Sequence, residues 1–139
     1  MTKIAGGCQC GAVRYEIDAE PAFAGHCHCK DCQKSTGVGH ATVGGFAEDA
    51  VKITGKTKSF QSKTDTGGTA IRKFCPECGG RISYQTSNWP GMVLMMAGSL
   101  DQPELLQPTM AVFGKRRLSW DHMDGSIATF DAMPPPSPQ

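Results

Sequence analysis

The sequence has little net charge, few aromatic residues and no long apolar run. Its 139 residues carry a formal net charge of +1, and 7% of them are aromatic. A chain so close to neutral has no overall field that would draw it to nucleic acid or to an anionic membrane surface. No apolar run approaches the roughly 18 residues that a membrane-spanning helix needs. We therefore expect neither nucleic acid nor a membrane as a partner.

The sequence also lacks a recognisable targeting segment. Its first residues do not contain the apolar stretch of a secretory signal peptide, so we expect a cytoplasmic protein whose thiols stay reduced. The seven cysteines cannot all pair, and a disulfide between Cys27 and Cys29 would be strained. The C-x-x-C motif of residues 75–78 would need a βαβ context for a redox role, and the sequence does not show one. The clustered cysteines therefore indicate metal binding.

Glycine is abundant, at 17 residues, and short segments of alternating polarity predict many strands and turns. Residues 12–18 alternate as a half-buried strand does, and residues 92–97 are nearly all apolar, as in a buried central strand. Val51–Thr54 and residues 57–62 predict a hairpin. The fold class is therefore predicted to be mainly β.

The chain is long enough for one domain with a modest core. A helical turn is expected over residues 32–37, and a last short strand over residues 118–120. Residues 131–139 contain four prolines and little apolar content. We therefore predict a single domain over residues 1–130, followed by a tail that is disordered or extended as polyproline II.

The motif Cys27-His28-Cys29-Lys30-Asp31-Cys32 places three cysteines within six residues. Thiolates so close together are most simply explained by a shared metal, and soft sulfur ligands suit Zn²⁺ at about 2.3 Å. Three protein ligands leave one tetrahedral position open, as in a catalytic zinc site. The alternative is a closed, structural site in which His26, His28 or His40 supplies the fourth ligand.

Two distant segments contain the other cysteines. Cys8-Gln9-Cys10 is a C-x-C pair among glycines, and Cys75-Pro76-Glu77-Cys78, followed by two glycines, is typical of a zinc knuckle. We infer that these four cysteines hold one closed tetrahedral zinc. A metal that joins such distant segments contributes directly to folding, because the unfolded chain has no preformed site. The seven cysteines then divide into four for a structural zinc and three for an open one, which predicts two zinc ions per chain.

Three segments that carry these cysteines resemble the glutathione-dependent formaldehyde-activating enzyme family, which also includes centromere protein V. They are Gly7-Cys8-Gln9-Cys10-Gly11-Ala12-Val13-Arg14-Tyr15, Cys27-His28-Cys29-Lys30-Asp31-Cys32-Gln33-Lys34-Ser35-Thr36-Gly37 and Phe74-Cys75-Pro76-Glu77-Cys78-Gly79-Gly80. Residues 98–101 and 115–120 fit the same pattern. The resemblance therefore covers most of the chain.

The resemblance implies a β-tent of antiparallel sheets built around zinc knuckles, and an enzyme. It assigns the structural zinc to Cys8, Cys10, Cys75 and Cys78, and the catalytic zinc to Cys27, Cys29 and Cys32. It also implies a carbon–sulfur lyase activity that joins glutathione to formaldehyde. We therefore expect a small thiol and a small aldehyde as partners, with His28 or His40 as proton shuttles. A homodimer is left open.

A non-catalytic, zinc-stabilised binding module is the alternative function. In that case a histidine or a partner would close the three-cysteine site. The basic segment Gly114-Lys115-Arg116-Arg117 is either a solvated charge run or a receptor for a substrate carboxylate.

Overall fold

The computed structural model describes residues 3–64 and 67–133. In these two ranges the chain forms eleven strands and one α-helix, so the prediction of a mainly β fold is confirmed. They are β1 Ile4–Gly7, β2 Arg14–Ile17, β3 Phe23–Cys27, α1 Lys30–Thr36, β4 Ala41–Ala47, β5 Val51–Thr54, β6 Lys58–Lys63, β7 Thr69–Phe74, β8 Arg81–Thr86, β9 Met92–Met96, β10 Met110–Val112 and β11 Ala128–Thr129. None of the helices described is long and apolar enough to cross a membrane. Most of the predicted tail, residues 134–139, lies outside the described residues.

The strands form two sheets. β1, β2 and β5 make a three-stranded antiparallel sheet, and the other eight follow the order β11-β10-β3-β4-β9-β8-β7-β6. Neighbours in the larger sheet are antiparallel, except that β10 pairs in parallel with both β3 and β11. The larger sheet is therefore mixed rather than purely antiparallel. The long connection between β9 and β10 returns the chain to β3 in the same direction, which a short hairpin loop cannot do.

The predicted hairpin of Val51–Thr54 with residues 57–62 is wrong. β5 pairs with β2 in the small sheet, and β6 pairs with β7 in the large one. Gly55, with φ of +92°, carries the chain from one sheet to the other, and a Cβ there would lie 2.1 Å from the carbonyl oxygen of Ala12. The strand predicted over residues 118–120 is also wrong, because those residues run into a turn.

The main core lies between the two sheets. Tyr15 and Ile17 of β2 are buried while their strand neighbours are exposed, as the alternation of residues 12–18 predicts. They pack with Phe46 of β4 and Met95 of β9, both fully buried. Burial of large side chains of this kind contributes about 1.5–3 kcal/mol each. The small sheet is therefore held on one face of the large sheet by apolar packing.

The other face of the large sheet carries a second apolar cluster. Val43, Leu94 and Val112 pack there with Cys27 and Cys32. Leu94 and the main-core residue Met95 are consecutive in β9, so they point to opposite faces of the sheet. The loop that carries the three clustered cysteines is therefore seated on the face that the small sheet does not cover.

Candidate metal centres

The four cysteines of the two distant segments lie together. The Sγ atoms of Cys8, Cys10, Cys75 and Cys78 are all within 4.8 Å of one another. The Sγ of Cys10 is 3.6 Å from that of Cys8 and 3.7 Å from that of Cys75. Four sulfurs bound tetrahedrally at about 2.3 Å would be about 3.8 Å apart. The spacing therefore fits one shared zinc, and it is far longer than the roughly 2.05 Å of a disulfide.

Backbone N–H groups in this cluster donate hydrogen bonds that stabilise cysteine thiolates. Val13 donates to the Sγ of Cys8 and Glu77 donates to the Sγ of Cys75, each at 3.3 Å. The Val13 N–H is the main reason that the pKa of Cys8 is lowered to about 6. Gly79, with φ of +76°, allows the tight turn between β7 and β8. The cluster therefore joins the end of β1 to the β7–β8 turn.

The three remaining cysteines form a second cluster. Cys27 ends β3, Cys29 is the N-cap residue of α1, and Cys32 lies in its first turn. Their Sγ atoms lie within 4.8 Å of one another, and the Cys32 N–H donates to the Sγ of Cys29 at 3.3 Å. Among the residues described, no fourth histidine, cysteine or carboxylate joins this group. Three ligands without a fourth fit a metal that keeps an open position.

The electrostatics of this trio also favour a cation. The pKa of Cys29 is lowered to about 3, mainly by hydrogen bonds from Cys27 and then Cys32, and in smaller part by Arg72. The same thiolate raises the pKa of Cys27 to about 12, and its two neighbours also raise the pKa of Cys32. Without a cation only one of the three sulfurs ionises readily. A divalent ion would allow all three to act as thiolates.

A histidine–aspartate cluster adjoins the cysteine loop. Oδ2 of Asp121 is 2.7 Å from Nδ1 of His40 and 3.4 Å from Nδ1 of His28. The His28 ring is fully buried, and burial lowers its pKa. Gly39 makes room for the carboxylate, because a Cβ there would lie 2.5 Å from Asp121 Oδ2. Both histidines were expected here from the sequence, whereas Asp121 was not, because no local pattern marks it.

Histidine therefore does not close the three-cysteine cluster in this geometry. His28 and His40 turn towards Asp121, and Nδ1 of His26 lies 2.8 Å from the hydroxyl of Thr42. Gln33 instead supports the loop, since its side-chain amide donates to the carbonyl oxygens of His28 and Arg116 at 2.9 and 3.0 Å.

Two arginines and a tyrosine lie on the same side of the sheet as the trio, and sequence reasoning missed all three. Arg81 donates through Nη1 to the carbonyl oxygen of Ser35 in α1, at 2.7 Å. The guanidinium of Arg72 lies over the ring of Tyr84, with Cζ 5.6 Å from its centroid. Tyr84 packs against the cluster that contains Cys27 and Cys32, and burial raises its pKa well above the usual range.

Comparisons with known proteins agree with the motifs. A family model described as glutathione-dependent formaldehyde-activating enzyme matches residues 3–116. A Halomonas elongata protein, provisionally named a glutathione-dependent formaldehyde-activating enzyme, is 28% identical over 101 residues, covering 69% of this chain but only 64% of that protein. A crystal structure of a Rhodobacter sphaeroides protein matches with a TM-score of 0.58 over 70% of this chain and 87% of that one, at 24% identity. The last comparison shows a shared fold.

Proposed function

The chain belongs to the glutathione-dependent formaldehyde-activating enzyme family, and we propose that it is a zinc-dependent enzyme of the carbon–sulfur lyase type. It joins a small thiol such as glutathione to a small aldehyde such as formaldehyde, or cleaves the adduct. Cys27, Cys29 and Cys32 hold the catalytic zinc, and the four-cysteine cluster holds a structural one. The observation that carries the proposal is a three-cysteine cluster with no fourth ligand among the described residues.

The reaction forms one carbon–sulfur bond. The thiol sulfur attacks the carbonyl carbon, the π electron pair of the C=O bond moves to oxygen, and the proton of the thiol ends on that oxygen. A zinc ion bound here would acidify a thiol or polarise a carbonyl at its open position. The chain contributes three converging sulfurs, which β3 and the first turn of α1 hold in place.

The chain also offers a group that can move the proton. Nδ1 of His40 is bonded to Asp121, which orients the ring and leaves Nε2 free to accept a proton. The side chain of His40 is 24% exposed, whereas that of His28 is fully buried. Of the two histidines expected as shuttles, His40 is therefore the one whose ring reaches solvent.

The proposal is tested by zinc content and turnover in the wild type and in Cys29→Ser. We expect two zinc ions per wild-type chain and one in the variant, with the fold retained. The rate of exchange between formaldehyde and its glutathione adduct, measured by NMR, should fall to the uncatalysed rate in Cys29→Ser. The reason is that two sulfurs cannot hold the second zinc in a tetrahedral site with one open position.

Cys10→Ser is the matched control, because it makes the same chemical change in the other cluster. It should disturb folding rather than remove activity from a folded protein. One zinc ion in both the wild type and Cys29→Ser would contradict the proposal. Two zinc ions without any acceleration of exchange would favour the alternative, a zinc-stabilised binding module.

A further inference from the structure

Among the residues that the structure describes, Arg72 is a buried cation with no carboxylate partner. Its side chain lies in the middle of β7 and the residue is 8% exposed. Within residues 3–64 and 67–133 the ion pairs are Lys3–Glu16, Arg14–Asp101 and the contacts of Asp121 with two histidines. None of them involves Arg72. Because an unpaired charge is costly to bury, such a residue is seldom retained for packing alone.

The contacts of Arg72 are to neutral groups. Nη1 donates to the hydroxyl of Ser62 at 3.1 Å, and the guanidinium plane rests on Tyr84. Among the described residues, Nε and Nη2 of Arg72 have no hydrogen-bond partner. Unlike Nε of Arg81, they are not fully enclosed by the protein. These nitrogens therefore keep some contact with solvent and can still donate to an anion, and a guanidinium edge matches the two oxygens of a carboxylate.

Strand register places this edge beside the three-cysteine cluster. Arg72 lies opposite Tyr84, and Tyr84 lies opposite Leu94, so the three share one face of the large sheet. Leu94 belongs to the apolar cluster that contains Cys27 and Cys32. Tyr84, on whose ring the Arg72 guanidinium rests, also packs against that cluster. The cation and the thiols therefore face the same space.

Arg81 reaches that face in a different way. The β7–β8 register slips at Phe74, which lies opposite Arg81 instead of Ile82, and a bulge of this kind re-aims a side chain. Nη1 of Arg81 then donates a hydrogen bond to the carbonyl oxygen of Ser35, near the end of α1, which is a structural contact. Within the described ranges Arg72 donates to no backbone carbonyl, so no structural contact of this kind accounts for its charge.

We infer that Arg72 recognises a carboxylate of the thiol substrate beside the three-cysteine site. The inference rests on the proposed function and names the chemical class of its thiol, an anionic one. Phe60 lies opposite Arg72 in β6 and is 62% exposed, so it offers an apolar contact next to the carboxylate subsite. The basic residues considered for this role from the sequence, Lys115, Arg116 and Arg117, are exposed, and Arg117 donates to the carbonyl oxygens of Leu118 and Asp121.

Thiol binding to the cobalt-substituted protein tests this inference directly. Thiols that enter the open position change the visible spectrum of Co²⁺, so affinity is read without turnover. The probes are glutathione and its diethyl ester, in which both carboxylates are masked. In the wild type we expect glutathione to bind about 10- to 100-fold more tightly than the ester, the range of a charge-assisted hydrogen bond.

Arg72→Gln should remove the preference for glutathione, because it weakens the binding of glutathione and leaves that of the ester unchanged. Arg72→Lys should retain part of the preference. Lys73→Gln is the matched control, because it removes the same charge from the next residue, whose side chain points to the opposite face. It should keep the preference. A metal content unchanged from the wild type shows that each variant has folded.

Equal affinity of the wild type for the two thiols would overturn this inference and leave the proposed function standing. So would an Arg72→Gln variant that loses affinity for both thiols equally, because Arg72 would then only compensate the charge of the metal-bound sulfurs. Absence of any spectral change with either thiol in the wild type would overturn the proposed function and this inference with it.

Discussion

The buried hydroxyl of Tyr15 shows how one residue constrains its surroundings. Tyr15 is 1% exposed, and its Oη lies 2.6 Å from the hydroxyl of Ser99. Ser99 in turn donates to the carbonyl oxygen of Met96 at 2.7 Å. Tyr15 is therefore the donor in the first bond, and burial raises its pKa to about 12. The hydroxyl pair links the small sheet to the chain that follows β9.

Two substitutions in this pair should differ in cost. Tyr15→Phe removes a donor while Ser99 keeps its bond to Met96, so we expect a loss of about 1 kcal/mol in the free energy of unfolding. Ser99→Ala leaves the tyrosine hydroxyl buried without a partner, which costs about 1–3 kcal/mol. Urea unfolding at fixed zinc concentration measures both. A smaller loss in Ser99→Ala than in Tyr15→Phe would show that the hydroxyl finds another partner.

At the residue scale, cysteine spacing predicted that the seven sulfurs divide into a group of four and a group of three, and the Sγ atoms lie in those two groups. Arg72 and Asp121 were not predictable. Their surroundings are formed by residues that are distant in the sequence, on neighbouring strands or in another loop, and no local sequence pattern indicates such contacts. Val13 and Glu77 escaped notice for a related reason, since their contribution is a backbone N–H that any residue can supply.

At the scale of elements, the short helix α1 connects backbone conformation to metal binding. Gly37 ends it with φ of +78° and donates its N–H to the carbonyl oxygen of Gln33. This is the left-handed C-terminal cap that favours glycine. The helical turn predicted over residues 32–37 is therefore confirmed, although α1 begins earlier, at Lys30. Cys29 caps its start with a sulfur instead of an oxygen.

Gly37→Ala should cost about 1 kcal/mol in stability, because a side chain is strained at positive φ even where space is open. We further expect weaker zinc binding by the three-cysteine cluster, measured by competition with a chelator. Gly91→Ala is the matched control, since Gly91 has φ of +77°, equally open surroundings and a position in the loop before β9. It should lose similar stability and retain zinc. Equal zinc affinity in both variants would show that the C-terminal cap of α1 does not affect zinc binding by the three-cysteine cluster.

Periodicity predicted which strands exist better than which strands pair. The alternation in β2 and the apolar run of β9 reflect burial, which each strand carries in its own residues. The pairing of β5 with β2, by contrast, leaves no such mark in the residues of either strand. A glycine turn between two short strands looks like a hairpin in sequence, whether or not the strands meet.

At the scale of the whole molecule, the four-cysteine cluster joins β1 to the β7–β8 turn. We expect Cys75→Ser, or removal of zinc from this cluster by a strong chelator, to abolish the cooperative fold. Structural zinc binds with about 10–16 kcal/mol in small domains, which is comparable with the entire stability of a domain, about 5–15 kcal/mol. Near-ultraviolet circular dichroism reports the loss through the stacked rings of Phe23 and Trp89.

Cys29→Ser is the comparison for this prediction, because it empties the other cluster. It should keep the near-ultraviolet signal and the unfolding midpoint close to wild type. A Cys75→Ser protein with a wild-type midpoint would mean that apolar packing between the sheets is sufficient, and that the four-cysteine cluster is dispensable for folding.

The separation of Cys8 from Cys78 along the chain has a consequence for synthesis in the cell. The two halves of the four-cysteine cluster leave the ribosome one after the other, with about 70 residues between them. At roughly 5–20 residues per second, the N-terminal pair is made about 3.5–14 s before the last of its partners. During that interval Cys8 and Cys10 are two neighbouring thiols on an unfinished chain, open to oxidation and to the wrong metal. We therefore expect correct assembly of this cluster to need a reducing environment while translation is still under way.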